Sequence, residues 1–266
     1  MNSLAPVILI HGMWSTPDTL LGLKYRFEDN GYRVYVPRLP GHLEKEEMSS
    51  AEINQLKSFG VSDYVESLSV LIESLNEPPI LVGHSLGGLL AQLLAAKHNC
   101  KKLVLLSSLA PAGINIWSWS VLRTLGHNLF KFPLWKFITD LNYSNIRYGI
   151  ANSQSRYIHQ QIATEASFEP GRVFRQVGMW FLYKRPVTAV SANKIDCPIL
   201  VVAGEKDKIT SIKVQRNIAS KYSQKSTLIE ISGACHWTVG GTYFDEVCES
   251  VFYWLDNESA INKKTG

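Results

Sequence analysis

Residues Pro79-Ile80-Leu81-Val82-Gly83-His84-Ser85-Leu86-Gly87-Gly88 decide how the chain reads. The apolar run predicts a buried strand over 79–82, and the small-residue-rich stretch from Leu86 to Lys97 predicts a helix. Between them lies G-x-S-x-G, in which a serine sits on a sharp strand-to-helix turn. Such a turn is tight and strained, so its close neighbours must be glycine. The serine then projects from the sheet edge over a helix N-terminus, whose N–H groups can stabilise an oxyanion. The same residues could form a plain Gly/Ser connection; the strand before and the helix after favour a nucleophile.

Working outward, short β-branched runs alternate with helical patterns. Strands are predicted over 7–10, 32–36, 103–106, 199–202 and 227–231, and helices over 19–30, 61–75, 211–222 and 244–255. The acidic stretch Glu44-Lys45-Glu46-Glu47 reads as a solvated loop. Continuous apolar strands alternating with helices imply an α/β fold, with a mostly parallel sheet of about six strands covered on both faces. The rhythm breaks once, over residues 113–190. That segment is too long for a structureless loop in a compact domain. It is read as a mostly helical lid inserted after the fourth strand, leaving 1–112 and 191–266 as the core.

Composition fits one large core. The 266 residues are 45% hydrophobic and 19% charged, which excludes a disordered or collagen-like chain. Folding should leave roughly 12,000 Å² exposed out of about 43,000 Å². The net charge is +4 and no Lys/Arg block occurs, so nucleic acid is not an expected partner. Cys100, Cys197, Cys235 and Cys248 form no CxxC or zinc pattern, so free thiols, a reducing cytoplasmic compartment and no metal are expected. The apolar run 6–10 has no basic flank and is too short for a signal peptide. No apolar segment reaches the roughly 18 residues of a spanning helix.

A serine nucleophile needs a base and a group to orient that base. On this architecture the expected chain order is Ser, then Asp or Glu, then His. Asp207 follows the fifth strand and His236 the sixth, at the sheet edge where Ser85 emerges. Each alone is weak, since a loop Asp is usually a turn former and a loop His usually solvated. Together, in order and each past its own strand, Ser85, Asp207 and His236 form the candidate catalytic set. Glu205 is the rival orienter, placed less far out on its loop.

Six other histidines compete with His236. His84 lies inside the elbow and is expected to pack beside it. His11 supports its own loop, His42 sits near the cleft rim, His98 caps a helix end, and His127 and His159 belong to the lid. His11-Gly12-Met13 follows the first strand at the same sheet edge, and Gly12 lets backbone approach a substrate closely. The backbone N–H groups of Met13 and Leu86 are the expected oxyanion hole. Trp14 either walls the pocket or packs in the core; Trp14, His84 and Trp237 are the candidate pocket residues.

These features together resemble the α/β-hydrolase fold superfamily, in its lid-bearing group of esterases, thioesterases and cofactor-free relatives. The resemblance rests on His11-Gly12, Pro40-Gly41-His42, the elbow from Gly83 to Gly88, Gly204 with Asp207, and Gly233 with His236. It implies acyl transfer by Ser85, His236 and Asp207 without cofactor. Two departures are visible. The chain opens on the strand before His-Gly, so an antiparallel opening hairpin is not expected, and Pro37-Arg38-Leu39-Pro40 stands where relatives often carry Asp before Leu-Pro. A serine rather than an aspartate at the nucleophile argues against dehalogenase or epoxide hydrolase chemistry.

The lid carries nine Lys/Arg against three acids and four of the seven tryptophans. Its aromatics either pack it onto the body, or line an acyl tunnel whose basic mouth attracts anionic substrates or an acidic carrier protein, or dock weakly on an anionic membrane surface. The leading expectation is hydrolysis of a carboxylic ester of a largely apolar small acyl substrate. A thioesterase acting on carrier-bound acyl chains, a cofactor-free lyase, perhydrolase or carbon–carbon hydrolase, and a triad-retaining ligand receptor are the alternatives. A polar lid residue aimed at Ser85 would favour the lyase class.

Overall fold

The computed structural model describes residues 4–261. The chain runs through β1 (Val7–Ile10), α1 (Leu21–Asp29), β2 (Val34–Tyr35), α2 (Ser50–Leu56), α3 (Val61–Glu73), β3 (Ile80–His84), α4 (Leu86–Ala95) and β4 (Lys102–Leu106). It then leaves the sheet through α5 (Trp119–Leu125), β5 (Ile138–Thr139) and α6 (Tyr143–Asn145), which runs into a π-helical turn over Ile146–Ile150. α7 (Arg156–Glu165), β6 (Glu169–Pro170) and α8 (Gly171–Gly178) complete this excursion. The sheet resumes with β7 (Ile199–Gly204), α9 (Ile212–Tyr222), β8 (Ser226–Ile231) and α10 (Phe244–Ile261).

Six strands form one all-parallel sheet in the order β2-β1-β3-β4-β7-β8. Strands of a covered parallel sheet bury both faces, and β1, β3 and β7 are buried at every position. Alternate residues serve opposite cores. Ile8, Ile10, Leu81 and Leu105 pack with α3, α4 and α9; Val7, Leu9, Val82 and Val104 pack with α1 and α10. β1 lies between β2 and β3, so the strand order reverses there. The crevice outside the C-terminal ends of β1 and β3 is therefore a topological switch point, where open α/β sheets bind ligands.

The structure departs from the sequence reading in three places. The second strand shrinks to two residues, because it is an edge strand and Pro37 has no N–H for the ladder. The acidic loop is a short 3₁₀ turn over Lys45–Glu47, followed by the unanticipated α2. α2 begins with a capping box: Glu52 N–H donates to Ser49 Oγ, and Ser49 N–H to Glu52 Oε2. The S-x-x-E spacing was there to be read. Finally, the excursion contains a two-stranded antiparallel ribbon, β5 with β6, too short to leave a period in the sequence.

None of the described helices is long and apolar enough to cross a membrane. All four cysteines are free and buried. Burial pushes the Cys100 thiol up to about 12, Cys197 to about 11 and Cys248 to about 12. A thiol reagent should therefore find no fast-reacting group in the folded protein and four after denaturation without reductant. Fewer than four in denaturant would contradict the free-thiol structure.

Candidate active site

The site begins with a strained residue. Ser85 sits at φ 53° and ψ −116°, between the end of β3 and the first turn of α4. A non-glycine residue held there costs about 1–3 kcal/mol, so the surroundings must impose it. Ser85 N–H donates to Leu106 O at 3.1 Å, and Leu109 N–H donates to Ser85 O at 2.8 Å. A Cβ on Gly83 would lie 2.2 Å from Gly87 O, and one on Gly87 would lie 2.0 Å from Ile10 O. The first turn of α4 thus presses directly on the end of β1.

Ser85, His236 and Asp207 form one buried hydrogen-bonded chain. Ser85 Oγ lies 3.0 Å from His236 Nε2, and His236 Nδ1 lies 2.8 Å from Asp207 Oδ2. Asp207 Oδ1 accepts from the N–H groups of Ile209 (2.7 Å) and Thr210 (2.8 Å), and Thr210 Oγ1 lies 2.8 Å from Oδ2. Burial alone would push the Asp207 carboxyl up. Attraction to a protonated His236, the hydrogen bond to that ring and the loop donors outweigh that, holding Asp207 below its usual value. An ionised Asp207 fixes the proton on Nδ1 and leaves Nε2 to accept from Ser85, the arrangement a general base needs. Glu205 is turned away, accepting from Ser232 Oγ and Gly233 N–H.

The remaining candidates surround this chain. Leu86 opens α4, so its N–H has no partner within the helix. Met13 lies on the loop after β1, where Gly12 comes so close that a Cβ would stand 3.2 Å from Ser85 Cβ. Neither Met13 N–H nor Leu86 N–H takes part in the described turn and loop hydrogen bonds. His84 donates from Nε2 to His236 O at 3.0 Å. Burial and the neighbouring His236 bring its pKa down to about 3, so it is neutral. His84, Trp14 and Trp237 all line the cavity above Ser85.

That cavity holds about 60 Å³ of free space and is walled mainly by apolar side chains. The excursion contributes Trp117, Val121, Leu125, Ile150 and Phe174 among others, and Glu165 is its sole ionisable group there. Glu165 accepts from Gln161 Nε2 at 2.9 Å. No Lys or Arg among the described residues lines the cavity. Among the described residues, no group of three or more His, Cys, Asp or Glu is placed to hold a metal ion.

The other histidines occupy definite positions. His11 donates from Nδ1 to Gly12 O (3.0 Å) and accepts Leu39 N–H at Nε2 (3.3 Å), supporting its own loop. His98 does not cap its helix through the ring, which instead reaches Ser69 Oγ at 2.8 Å. His42 is not at the cleft rim: it is fully buried and donates from Nε2 to Glu169 Oε2 at 3.0 Å.

Glu169 escaped sequence reasoning altogether. It lies in β6, is fully buried, and gathers three donors from distant parts of the chain. Besides His42, Tyr64 Oη–H donates to Oε1 (3.0 Å) and Trp14 N–H to Oε2 (3.3 Å). Burial, then the Glu169 charge, push the Tyr64 phenol well above its usual value, so it remains a donor. Ser167 N–H donates to Trp14 O at 2.8 Å. Both sides of the Trp14 backbone, itself at φ 56°, are thus held by residues 167–169. A lone Glu within an unpatterned segment carries no local signal; its role exists only once 155 residues of separation are closed.

Truncating Glu169 would strand three buried donors. Glu169→Ala should cost about 3–5 kcal/mol in urea unfolding, and Glu169→Gln less. An unchanged midpoint in Glu169→Ala would show that the network does not hold the loop.

Comparison with known proteins identifies the family. The model of the Alpha/beta hydrolase family matches residues 7–245. A search of curated proteins gives no match. Among solved structures, a methylesterase protein from Arabidopsis superposes with a TM-score of 0.70 at 16% identity, covering 97% of this chain and 100% of that one. A pyrethroid hydrolase from Sphingobium faniae gives 0.70 at 18%, covering 96% and 99%. A monoacylglycerol lipase from Paleococcus ferrophilus gives 0.66 at 21%, covering 94% and 95%. At these identities the superpositions carry the fold, and with the family match over residues 7–245 they establish that this chain belongs to the alpha/beta hydrolase family.

Proposed function

We propose that the protein hydrolyses carboxylic esters of a small, largely apolar acyl substrate, with Ser85 as nucleophile. The observation that carries this reading is the hydrogen-bonded chain Ser85–His236–Asp207 at the base of an apolar cavity. Ser85 Oγ attacks the ester carbonyl while His236 Nε2 takes its proton. Asp207 keeps the imidazole oriented and stabilises its charged form. The oxyanion is received by the N–H groups of Met13 and Leu86; one such donor is commonly worth roughly 3–4 kcal/mol. His236 returns the proton to the leaving alcohol, leaving an acyl-enzyme. A water activated by the same imidazole releases the acid.

In this reading residues 113–190 act as a lid on a core made of 1–112 and 191–266. The free space above Ser85, about 60 Å³, is well below the roughly 300 Å³ of a small ligand pocket, so substrate entry requires the lid to yield. Apart from Glu165, which accepts from Gln161, the lid lining is apolar, and this supports an ester hydrolase over the lyase class, which would call for a polar group presented to the bound substrate. Turnover of a p-nitrophenyl ester series from acetate to palmitate should peak at one chain length. Ser85→Ala should lower it by about 10⁴-fold or more. Labelling of Ser85 by a fluorophosphonate with no ester turnover at any length would overturn the ester reading and point to thioesters.

A specific feature supports a membrane-surface partner. Phe130 and Phe132 are 91% and 84% exposed, beside Lys131 and Lys136. Aromatics flanked by basic residues suit an anionic lipid interface. The protein should co-sediment with phosphatidylglycerol vesicles at moderate salt, and Phe130→Ala with Phe132→Ala should abolish this. Absence of the wild-type protein from the vesicle pellet would remove the proposal.

A further inference from the structure

A second pocket lies on the outer face of the wall that closes the active cavity. Arg123, Ser144, Arg147, Tyr148, Asn152 and Lys208 line it. Three segments build that wall, and each turns one side to each pocket. In α5, Val121 and Leu125 line the active cavity while Arg123 lines the outer pocket. In the π-helical turn, Ile150 faces inward, and Arg147 with Tyr148 outward. In the loop after β7, Ile209 lines the active cavity and Lys208 the outer pocket.

The outer pocket concentrates positive charge without neutralising it. Among the described residues, neither Arg123, Arg147 nor Lys208 forms an ion pair with a carboxylate, and no acid lines the pocket. The Arg123 guanidinium and the Lys208 ammonium each lie 4.1 Å from the centroid of the Tyr148 ring. They are therefore no more than twice that distance apart. Tyr148 holds the two cations in place against their mutual repulsion. The segments are also tied together: Ser120 Oγ–H donates to Lys208 O at 2.8 Å, and Asn152 Nδ2–H to Lys206 O at 3.1 Å. A π-turn is rare in proteins and frequent at functional sites; here it carries Arg147 and Tyr148.

We propose that this pocket binds a phosphate group, either free or as a phosphomonoester. Two guanidinium forks can each take a pair of phosphate oxygens, and the ammonium adds a third charge, which suits a dianion better than a carboxylate. The Ser144 hydroxyl supplies a further donor at the pocket's edge. Because the Tyr148 ring is engaged by cations, it is not a platform for stacking a base. A bound dianion would tie α5, the π-turn and the loop bearing Asp207 into one unit. The binding claim stands whether or not Ser85 turns over an ester.

The test is calorimetric titration of the full chain at constant ionic strength in chloride, with inorganic phosphate and separately with glycerol phosphate. Saturable one-to-one binding with millimolar or tighter affinity is expected. Arg123→Gln and Arg147→Gln should each weaken it at least about tenfold, since each removes a charge-assisted fork. Lys184→Gln, a lid lysine outside the pocket, should leave it unchanged. Each variant is exposed and should keep the wild-type melting temperature in chloride. Equal affinities would identify phosphate alone as the ligand, and tighter binding of glycerol phosphate would identify the ester. No saturable binding, or binding equally strong in both arginine variants, would overturn the proposal.

Discussion

The contact on which the site depends is between two pieces of backbone. The carbonyl of Ile10, at the end of β1, lies where any side chain on residue 87 would have to be. Adjacent parallel strands β1 and β3 bring their C-terminal ends together, and a glycine at 87 lets the first turn of α4 press against the neighbouring strand. This approach forces the chain to reverse sharply at Ser85, which accounts for its positive φ. The same approach puts Gly12 and Met13 beside the serine. Ser85 and the neighbouring loop are therefore set by one steric fit, and the strain at Ser85 is the cost of making it.

A second constraint reaches the same loop from the other side. Trp14 belongs to the body by sequence, yet it packs with Val121, Leu125, Leu134 and Phe174 from the excursion. Its indole Nε1–H donates to Thr139 Oγ1 at 3.1 Å, and Thr139 Oγ1–H in turn donates to Glu169 O at 3.1 Å. The buried carboxylate of Glu169 then receives donors from the β1 loop, from His42 and from α3. An unpaired carboxylate would be expensive at such depth, and three donors offset that cost. The loop after β1 is thus held by α4 below and by residues 167–169 above.

How much of this was legible follows from what each feature needs. The sheet, its helices and the Ser–Asp–His order are local or periodic properties, and strand runs such as 80–82 and 199–202 announce themselves. His236 stands apart from six rivals in the sequence because it alone combines chain order with a strand end. The excursion could be bounded but not drawn, since helices of seven to ten residues and a two-residue ribbon leave no period. α2 was missed although its capping box was written at Ser49 and Glu52. His42 and Glu169 belong to another class. Each finds its partner 127 residues away, so nothing in its own neighbourhood distinguishes it from a solvated side chain.

The consequence is that one segment of the excursion serves both the cavity wall and the β1 loop. Residues 166–174 wall the cavity through Ala166 and Phe174, and hold the Trp14 backbone through Ser167 and Glu169. The loop carrying Met13 N–H therefore has its geometry fixed by a segment that also walls the cavity. An excursion that swung open as a rigid body would break the Glu169 hydrogen bonds and strand buried donors. A displacement confined to α5 and the irregular chain around Trp117 would leave them intact, because neither contributes to that network. Both face the cavity, with Val121, Leu125 and Trp117, and are tied to their surroundings by other polar bonds: Ser120 Oγ–H to Lys208 O at 2.8 Å, Asn145 Nδ2–H to Thr124 O at 2.6 Å and Trp117 Nε1–H to Gly178 O at 2.6 Å. The network around Glu169 therefore divides the wall into one part that shapes the loop after β1 and another, α5 and its neighbours, that is bonded elsewhere.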